Sequence, residues 1–519
     1  MTNIAETLQS GLEHHRAGRL RDAEMLYRSV LKQHPRNASA GHLLGLIAYQ
    51  AGRSEEAVEL LSTAARIEPY NAAFQADLGE ILRVLGKTPE AIAACSRAVA
   101  IDPSMADVHH CLGLLHEAQE DRPRAIECYR EAARLDAAHA AAHANLGLAL
   151  RAEGHLSEAN EALTKAVQLA PDNADHYLGL GVCLYDQGQL LDAIACYQKT
   201  LRLAPGNVKA QYNCALARLA LGDLANGWRE FETRHAFESL VRRKYALPMW
   251  YGDTAQTGAL LVHAEQGFGD AIQFVRYAAL LSERGMHVVV DVHEELVTLL
   301  TASGFRHVVA DGSVPPECTS QVPLLSLPRV LGTTLETIPA QVPYLAAEPE
   351  RVAAWRKRLE PHRGLRVGIN WQGRPTHYND RVRSLQLAQL APLAAIAGVQ
   401  LISLQQGVGT EQLAEFAGRW PLLDLSQEIR DFHDTAAVIR NLDLVISCDS
   451  APAHLAGALG VPTWVALSVG SDWRWLQNRT DTPWYPTMRL YRQPTLGVWD
   501  DVVSRMAGDV AALAAARRA

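Results

Sequence analysis

The sequence predicts a chain of two halves. Residues 1–238 read as a superhelix of stacked helix pairs. Residues 259–350 and 351–519 read as two doubly wound α/β sheets, with 239–258 as the linker and a terminal helix from Trp499 to Arg518. Two observations carry this. Small residues and prolines recur every 34 positions up to about residue 234. Beyond that point the pattern changes to short β-rich runs alternating with helical segments, which implies parallel sheets covered by helices.

The repeat is visible in four registers. Gly18, Gly52, Gly86, Gly154, Gly188 and Gly222 share one phase, broken only at Glu120. Ala23, Ala57, Ala91, Ala125, Ala159 and Ala193 follow five residues later, and Gly227 closes that series. Gly11, Gly45, Gly79, Gly113, Gly147 and Gly181 form a third set. Pro35, Pro69, Pro103, Pro171 and Pro205 form a fourth, with Ala137 in the vacant slot. Small residues in both helices of a pair let them approach closely. Glycine ends the first helix in the left-handed conformation. Proline stops the second helix and opens the next repeat. These positions resemble the tetratricopeptide repeat, a helix–turn–helix of 34 residues. Six full repeats and a degenerate seventh, Asn207 to about Phe237, are read this way.

That resemblance implies a concave groove of the kind that binds extended peptides. The groove position two before the small glycine of the third set reads Leu43, Asp77, Cys111, Asn145, Gly179 and Asn213. O-GlcNAc transferases carry an asparagine ladder in their repeat groove. Only Asn145 and Asn213 resemble it here, so this groove is expected to read its partner differently. The alternative is that the repeats only rigidify or dimerise the protein.

Composition bounds the function. A chain of 519 residues, 48% hydrophobic, suits two or three packed domains. Its 57 acidic residues outnumber its 49 basic ones, for a net charge of −8. Non-specific nucleic-acid binding needs a basic surface, so that class is excluded, although a local basic pocket is not. The eight cysteines form no CxxC pair, which points to a reducing compartment. The first residues lack a basic region followed by an apolar core, so no secretory signal is expected. No apolar run approaches the roughly 18–20 residues of a membrane span. A cytoplasmic location is therefore expected.

In the second half, strands are read at Ala259–Ala264, His287–Val292, His307–Ala310, Val322–Leu325, Leu365–Trp371, Val399–Leu404, Leu442–Ser447, Thr463–Leu467 and Met488–Tyr491. Several turns at strand ends carry chemistry. Glu265-Gln266-Gly267-Phe268-Gly269-Asp270 follows the first strand and opens a helix. Gly267 and Gly269 let backbone approach a ligand in the usual crevice of such sheets. Asp270 is either a functional carboxylate or a plain N-cap. Asp449-Ser450-Ala451-Pro452-Ala453-His454 starts a short helix, whose free N–H groups and dipole favour a diphosphate. There Asp449 can instead accept hydrogen bonds from sugar hydroxyls, and His454 is either a ligand contact or a buried structural histidine. Gln405-Gln406-Gly407 ends another strand at the same edge. Ser468-Val469-Gly470-Ser471-Asp472-Trp473-Arg474-Trp475 suits a nucleoside-and-phosphate wall, or the tryptophans are core. Asp431-Phe432-His433-Asp434 reads as a cap rather than a site.

Two Rossmann-like domains facing each other across a cleft constitute the GT-B architecture. The fold class is thus an α superhelix of tetratricopeptide repeats followed by an α/β GT-B half. The Gly-Asp turn and the Asp449–Pro462 segment together resemble the ADP-heptose:lipopolysaccharide heptosyltransferases, glycosyltransferase family 9, over roughly residues 259–500. The resemblance implies that Asp270 is the catalytic base. It implies that the segment from Asp449 binds the nucleotide sugar, with Gly267, Gly269, Gln405, Asp449, Ser450, Ala451, His454 and Ser468 as the donor-binding set. In that family a lysine after the first strand of the second domain neutralises phosphate. The corresponding loop here, Gln372 to Leu385, has no lysine. Arg383 is the best match, with Arg381 and Arg374 as stand-ins, and arginine can hold a diphosphate bidentately.

The expected function is inverting, metal-independent transfer of a sugar from a nucleotide-diphosphate donor to a hydroxyl of a protein acceptor in the repeat groove. No cofactor and no metal site are expected. The layout resembles bacterial protein O-glycosyltransferases that modify flagellins or adhesins. The alternatives are transfer to lipopolysaccharide or another glycan, and a repeat scaffold with an inactive second half.

Overall fold

The computed structural model describes residues 4–237, 245–253, 258–310, 313–315, 317–376 and 379–518. By compactness the chain forms two units, Met1–Cys183 and Leu184–Ala519. The division falls inside the helix Ala174–Asp186, short of the end of the repeat lattice. Half of the linker range 239–258 lies outside the described residues. Within it, Trp250 is buried and its N–H donates to the Gln321 carbonyl at 2.8 Å, beside the first sheet.

The first unit is a run of helix pairs such as Ala72–Val84 with Thr88–Ile101 and Ala106–Ala118 with Arg122–Leu135. The small-residue lattice is the seam inside each pair. A Cβ on Gly79 would sit 2.3 Å from Cys95 Sγ, and one on Gly113 would sit 2.4 Å from the Tyr129 ring. Asparagine side chains cap several first helices; Asn37 accepts from the Ala40 N–H at 2.8 Å. The turn glycines hold φ between +72° and +85°, and Glu120 takes the same left-handed place at φ +61°.

The second unit contains the helices Leu190–Leu203, Val208–Leu221 and Leu224–Phe231 and two wholly parallel sheets. The first sheet holds β1 (Ala259–His263), β2 (Val288–Val292), β3 (Val308–Ala310) and β4 (Cys318–Pro323), in the order β3-β2-β1-β4. Every residue of β1 and β2 is buried, as expected for strands covered on both faces. The second sheet holds β5 (Leu365–Asn370), β6 (Val399–Ser403), β7 (Leu422–Leu423), β8 (Leu444–Cys448), β9 (Thr463–Leu467) and β10 (Met488–Arg492). Its order is β10-β9-β8-β5-β6-β7. Val367, Ile369, Leu444 and Ile446 form its core with Met506 and Val510 of the helix Asp500–Arg518.

Two strand readings need correction. The fourth strand spans Cys318–Pro323 instead of Val322–Leu325. Leu324 and Leu325 are buried in a 3-10 turn, so their apolar character reports burial and not pairing. β7 was absent from the reading because two residues carry no period. Strand order reverses at the β5–β8 pair, and the carboxyl ends of such a switch point form a ligand crevice in open sheets.

Candidate functional site

Chemistry-bearing turns from both sheets meet at their carboxyl ends. After β1 the chain turns at Gly267 into the helix Phe268–Glu283. Asp270 Oδ2 accepts the Gly267 N–H at 2.9 Å, so this carboxylate does cap the helix. Its other oxygen accepts from Arg474 Nη2. Burial raises the Asp270 carboxyl above its usual range, against the pull of Arg474.

Arg474 comes from the turn Trp473–Trp475, which follows β9. Its Nη1 donates to Asp472 Oδ1 at 2.8 Å, and its guanidinium lies 4.2 Å from the centre of the Trp473 ring. Asp449 follows β8, and burial with the nearby Asp472 charge pushes it up to about 6. Arg383 Nη1 donates to the Asp449 carbonyl at 3.0 Å, while its Nε donates to Asp380 Oδ1 at 3.3 Å. Asp270, Asp449, Asp472, Arg383 and Arg474 therefore form one charged cluster. The structure brings together the two residues read as catalytic and the Asp449 turn.

Other expected contacts have structural work. Gln405 is buried, and its Oε1 accepts from Asn370 Nδ2 (2.7 Å) and the N–H groups of Trp371 and Gln372 (3.2 and 3.1 Å). Its Nε2 donates to the Gln372 and Val408 carbonyls, so it braces the loop after β5. Ser450 Oγ donates to Asn370 Oδ1 at 2.6 Å. Gly269 serves helix packing: a Cβ there would lie 3.0 Å from His454 Cδ2 and 3.8 Å from Ala451 Cα. His454 is buried, stacked on Trp475 at 5.1 Å, with Nδ1 3.0 Å from the Tyr485 hydroxyl. Burial pushes its pKa down to about 3, so it is neutral at pH 7. Ser468 is buried at the end of β9.

The start of the helix Ala451–Ala458 offers fewer free donors than expected. Pro452 has no N–H, and the Ala453 N–H is taken by the Ser450 carbonyl at 3.1 Å. Arg374 and Arg381 are exposed, and His377 and Tyr378 between them lie outside the described residues. Among the described residues, no group of three or more His, Cys, Asp or Glu side chains could hold a metal ion.

Sequence reasoning gave Arg474 and Asp472 only as part of a wall. The signal was a cation between two tryptophans straight after a strand. It missed Arg234 altogether. This fully buried guanidinium donates to Glu265 Oε2 at 2.9 Å, Glu232 Oε1 at 2.8 Å and Ser326 Oγ at 2.6 Å. It thereby ties the turn after the last repeat helix to the segment leading into Asp270. Trp228 packs edge-on against Trp473 at 5.2 Å, and the Gln477 N–H donates to the Ala220 carbonyl at 2.8 Å. The turn bearing Arg474 is thus supported by the last repeat.

The fold defines the class: tetratricopeptide repeats joined to two parallel α/β sheets. The tetratricopeptide repeat family model matches residues 8–72, 43–106, 112–174, 145–208 and 184–227. A curated relative, protein FlbA of Caulobacter vibrioides, is 27% identical over 338 residues, covering 57% of this chain and 54% of that protein. The chain thus spans about half the length of the curated relative it matches. Among solved structures, PilF of Pseudomonas aeruginosa is 20% identical with a TM-score of 0.38, covering 40% of this chain and 95% of that one. YrrB, described as a TPR protein with an unusual peptide-binding site, is 18% identical with a TM-score of 0.33, covering 36% and 96%. No helix among the described residues is long and apolar enough to cross a membrane.

Proposed function

We propose that the chain is a glycosyltransferase of GT-B architecture, similar to glycosyltransferase family 9. It moves a sugar from a nucleotide-diphosphate donor to a hydroxyl of a protein acceptor held by the repeat groove, flagellin or an adhesin being candidates. The observation that carries this reading is the Asp270 carboxylate, set at the start of a helix after β1 against the Asp449 and Arg474 turns of the second sheet. Asp270 takes the acceptor proton as the hydroxyl attacks the anomeric carbon. Arg383, anchored on the Asp449 carbonyl, offsets charge on the departing diphosphate. The displacement is inverting, and these residues perform it without a metal.

The test is transfer of labelled sugar by the full chain to proteins of its own cells, read by intact mass. Asp270→Asn is expected to lower transfer by about 10²–10⁴-fold while the donor still binds. Retained turnover would remove Asp270 as the base. Sugar appearing in lipopolysaccharide and not in protein would change the acceptor. One observation favours a second reading, a repeat scaffold with an inactive second half: Asp270 already serves as helix cap and ion-pair partner. On that reading the wild-type chain binds no nucleoside diphosphate.

A further inference from the structure

We propose that Arg474 is the counter-ion shared between the base and the leaving group, held by Asp270 before reaction and drawn to the donor's diphosphate as the sugar departs. This rests on the transferase reading above. It assigns to the Trp473–Trp475 turn a role that the motifs left open.

Four observations support it. First, Arg474 is 9% exposed and stands between two carboxylates, Asp270 and Asp472. An arginine held between two anions can exchange one of them for phosphate without leaving its place. Second, the rings of Trp473 (4.2 Å) and Phe274 (5.7 Å) lie against the guanidinium, which fixes the side chain while its N–H groups change partners. Third, the turn carries a buried donor without a partner among the described residues, Arg474 Nε. A buried donor left unpaired is costly, and diphosphate oxygens are acceptors. Fourth, Arg383 reaches the Asp449 carbonyl from the other sheet-end loop, so the Asp449 turn has a guanidinium at its backbone and a second one nearby.

The charge count explains why sharing is needed. Asp270, Asp380, Asp449 and Asp472 surround Arg383 and Arg474, so a diphosphate enters a site that already has more carboxylates than guanidiniums. The reaction moves one negative charge from Asp270 to the diphosphate and leaves the total unchanged. The acceptor O–H proton goes to Asp270. The oxygen lone pair forms the bond to the anomeric carbon. The electron pair of the breaking carbon–oxygen bond leaves on the diphosphate. Asp270 loses its charge in the step in which the diphosphate gains one, and the attraction of Arg474 follows that charge.

The experiment is calorimetric titration of the full chain with UDP, GDP, ADP, CDP and dTDP, and with the matching nucleosides. For whichever diphosphate the wild type binds, Arg474→Gln is expected to weaken affinity about 10–100-fold, the range of a lost charge-assisted contact. Affinity for the bare nucleoside stays unchanged, which a collapsed site would not allow. The acid limb of the transfer pH profile also moves to higher pH, because Asp270 loses a neighbouring cation and holds its proton more tightly. Unchanged diphosphate affinity in Arg474→Gln overturns the proposal. If that variant does not fold, Arg474→Lys carries the test, since it keeps the charge and loses the planar fork. A several-fold loss of diphosphate affinity is expected there with the acid limb unmoved, and unchanged affinity overturns the proposal. Failure of the wild type to bind any of the five diphosphates overturns the transferase reading itself, and the Arg474 proposal falls with it.

Discussion

Asp449 is the cluster residue whose charge changes within an ordinary pH range. Its folded pKa is about 6 against an ordinary value of 3.8, because burial and the Asp472 charge disfavour its ionised form. The folded chain therefore holds this proton more tightly than the unfolded chain does. The sign follows from linkage: this group costs no stability below about pH 4, and stability falls as pH rises from about 4 to about 6. Asp449→Asn is expected to flatten that part of the curve, measured as the difference in thermal unfolding between variant and wild type. A variant curve parallel to wild type across that range would rule out the shift. His454 behaves in the opposite way. Its depressed pKa leaves it neutral, so it can position Tyr485 and Trp475 but cannot offset phosphate charge at pH 7.

At the scale of elements, the repeat turn gives the clearest prediction. Six lattice glycines hold this turn with φ from +72° to +85°, and Glu120 holds it at +61°. A side chain in the left-handed region costs about 1–2 kcal/mol, and glycine gives back part of that through its freer unfolded state. Glu120→Gly is expected to raise the unfolding free energy of the first unit by about 0.5–1 kcal/mol, read by urea titration. A loss of stability would mean that Glu120 makes contacts worth more than its strain. The helix pairs and most strands were legible because each depends on a local period, 34 in the lattice and strand–helix alternation after it. β4 was misplaced because Leu324 and Leu325 are apolar for burial alone. Gly269 carries a related ambiguity. A glycine that admits a ligand and one that admits a helix look the same in sequence, and only the approach of His454 and Ala451 separates them.

For the whole molecule, the division at residue 183/184 has a consequence for expression. Residues 184–519 are expected to unfold cooperatively by themselves. A fragment of residues 240–519 is expected to aggregate or to lose its cooperative transition. It lacks Arg234, leaving Glu265 as a buried carboxylate without its guanidinium partner, and it uncovers Trp473 by removing Trp228 and Phe231. Removing one partner of a buried pair costs about 3–5 kcal/mol. Calorimetry of the two fragments checks this, and a well-folded 240–519 fragment would show that the last repeat is dispensable to the sheets.

The sequence by itself determined the repeat period, most of the helices and strands, and the turns that carry Asp270, Asp449 and Arg383. These are local facts, since helix and strand patterns and cap residues are written within a few residues of where they act. Only the tertiary structure decided that Asp270 pairs with Arg474, 204 residues away, and that Gln405 and Ser450 brace loops. It also decided that Arg234 joins the last repeat to the Asp270 turn. Charge pairing and close packing act through space between residues far apart in sequence, and such partners leave no periodic trace along a single chain.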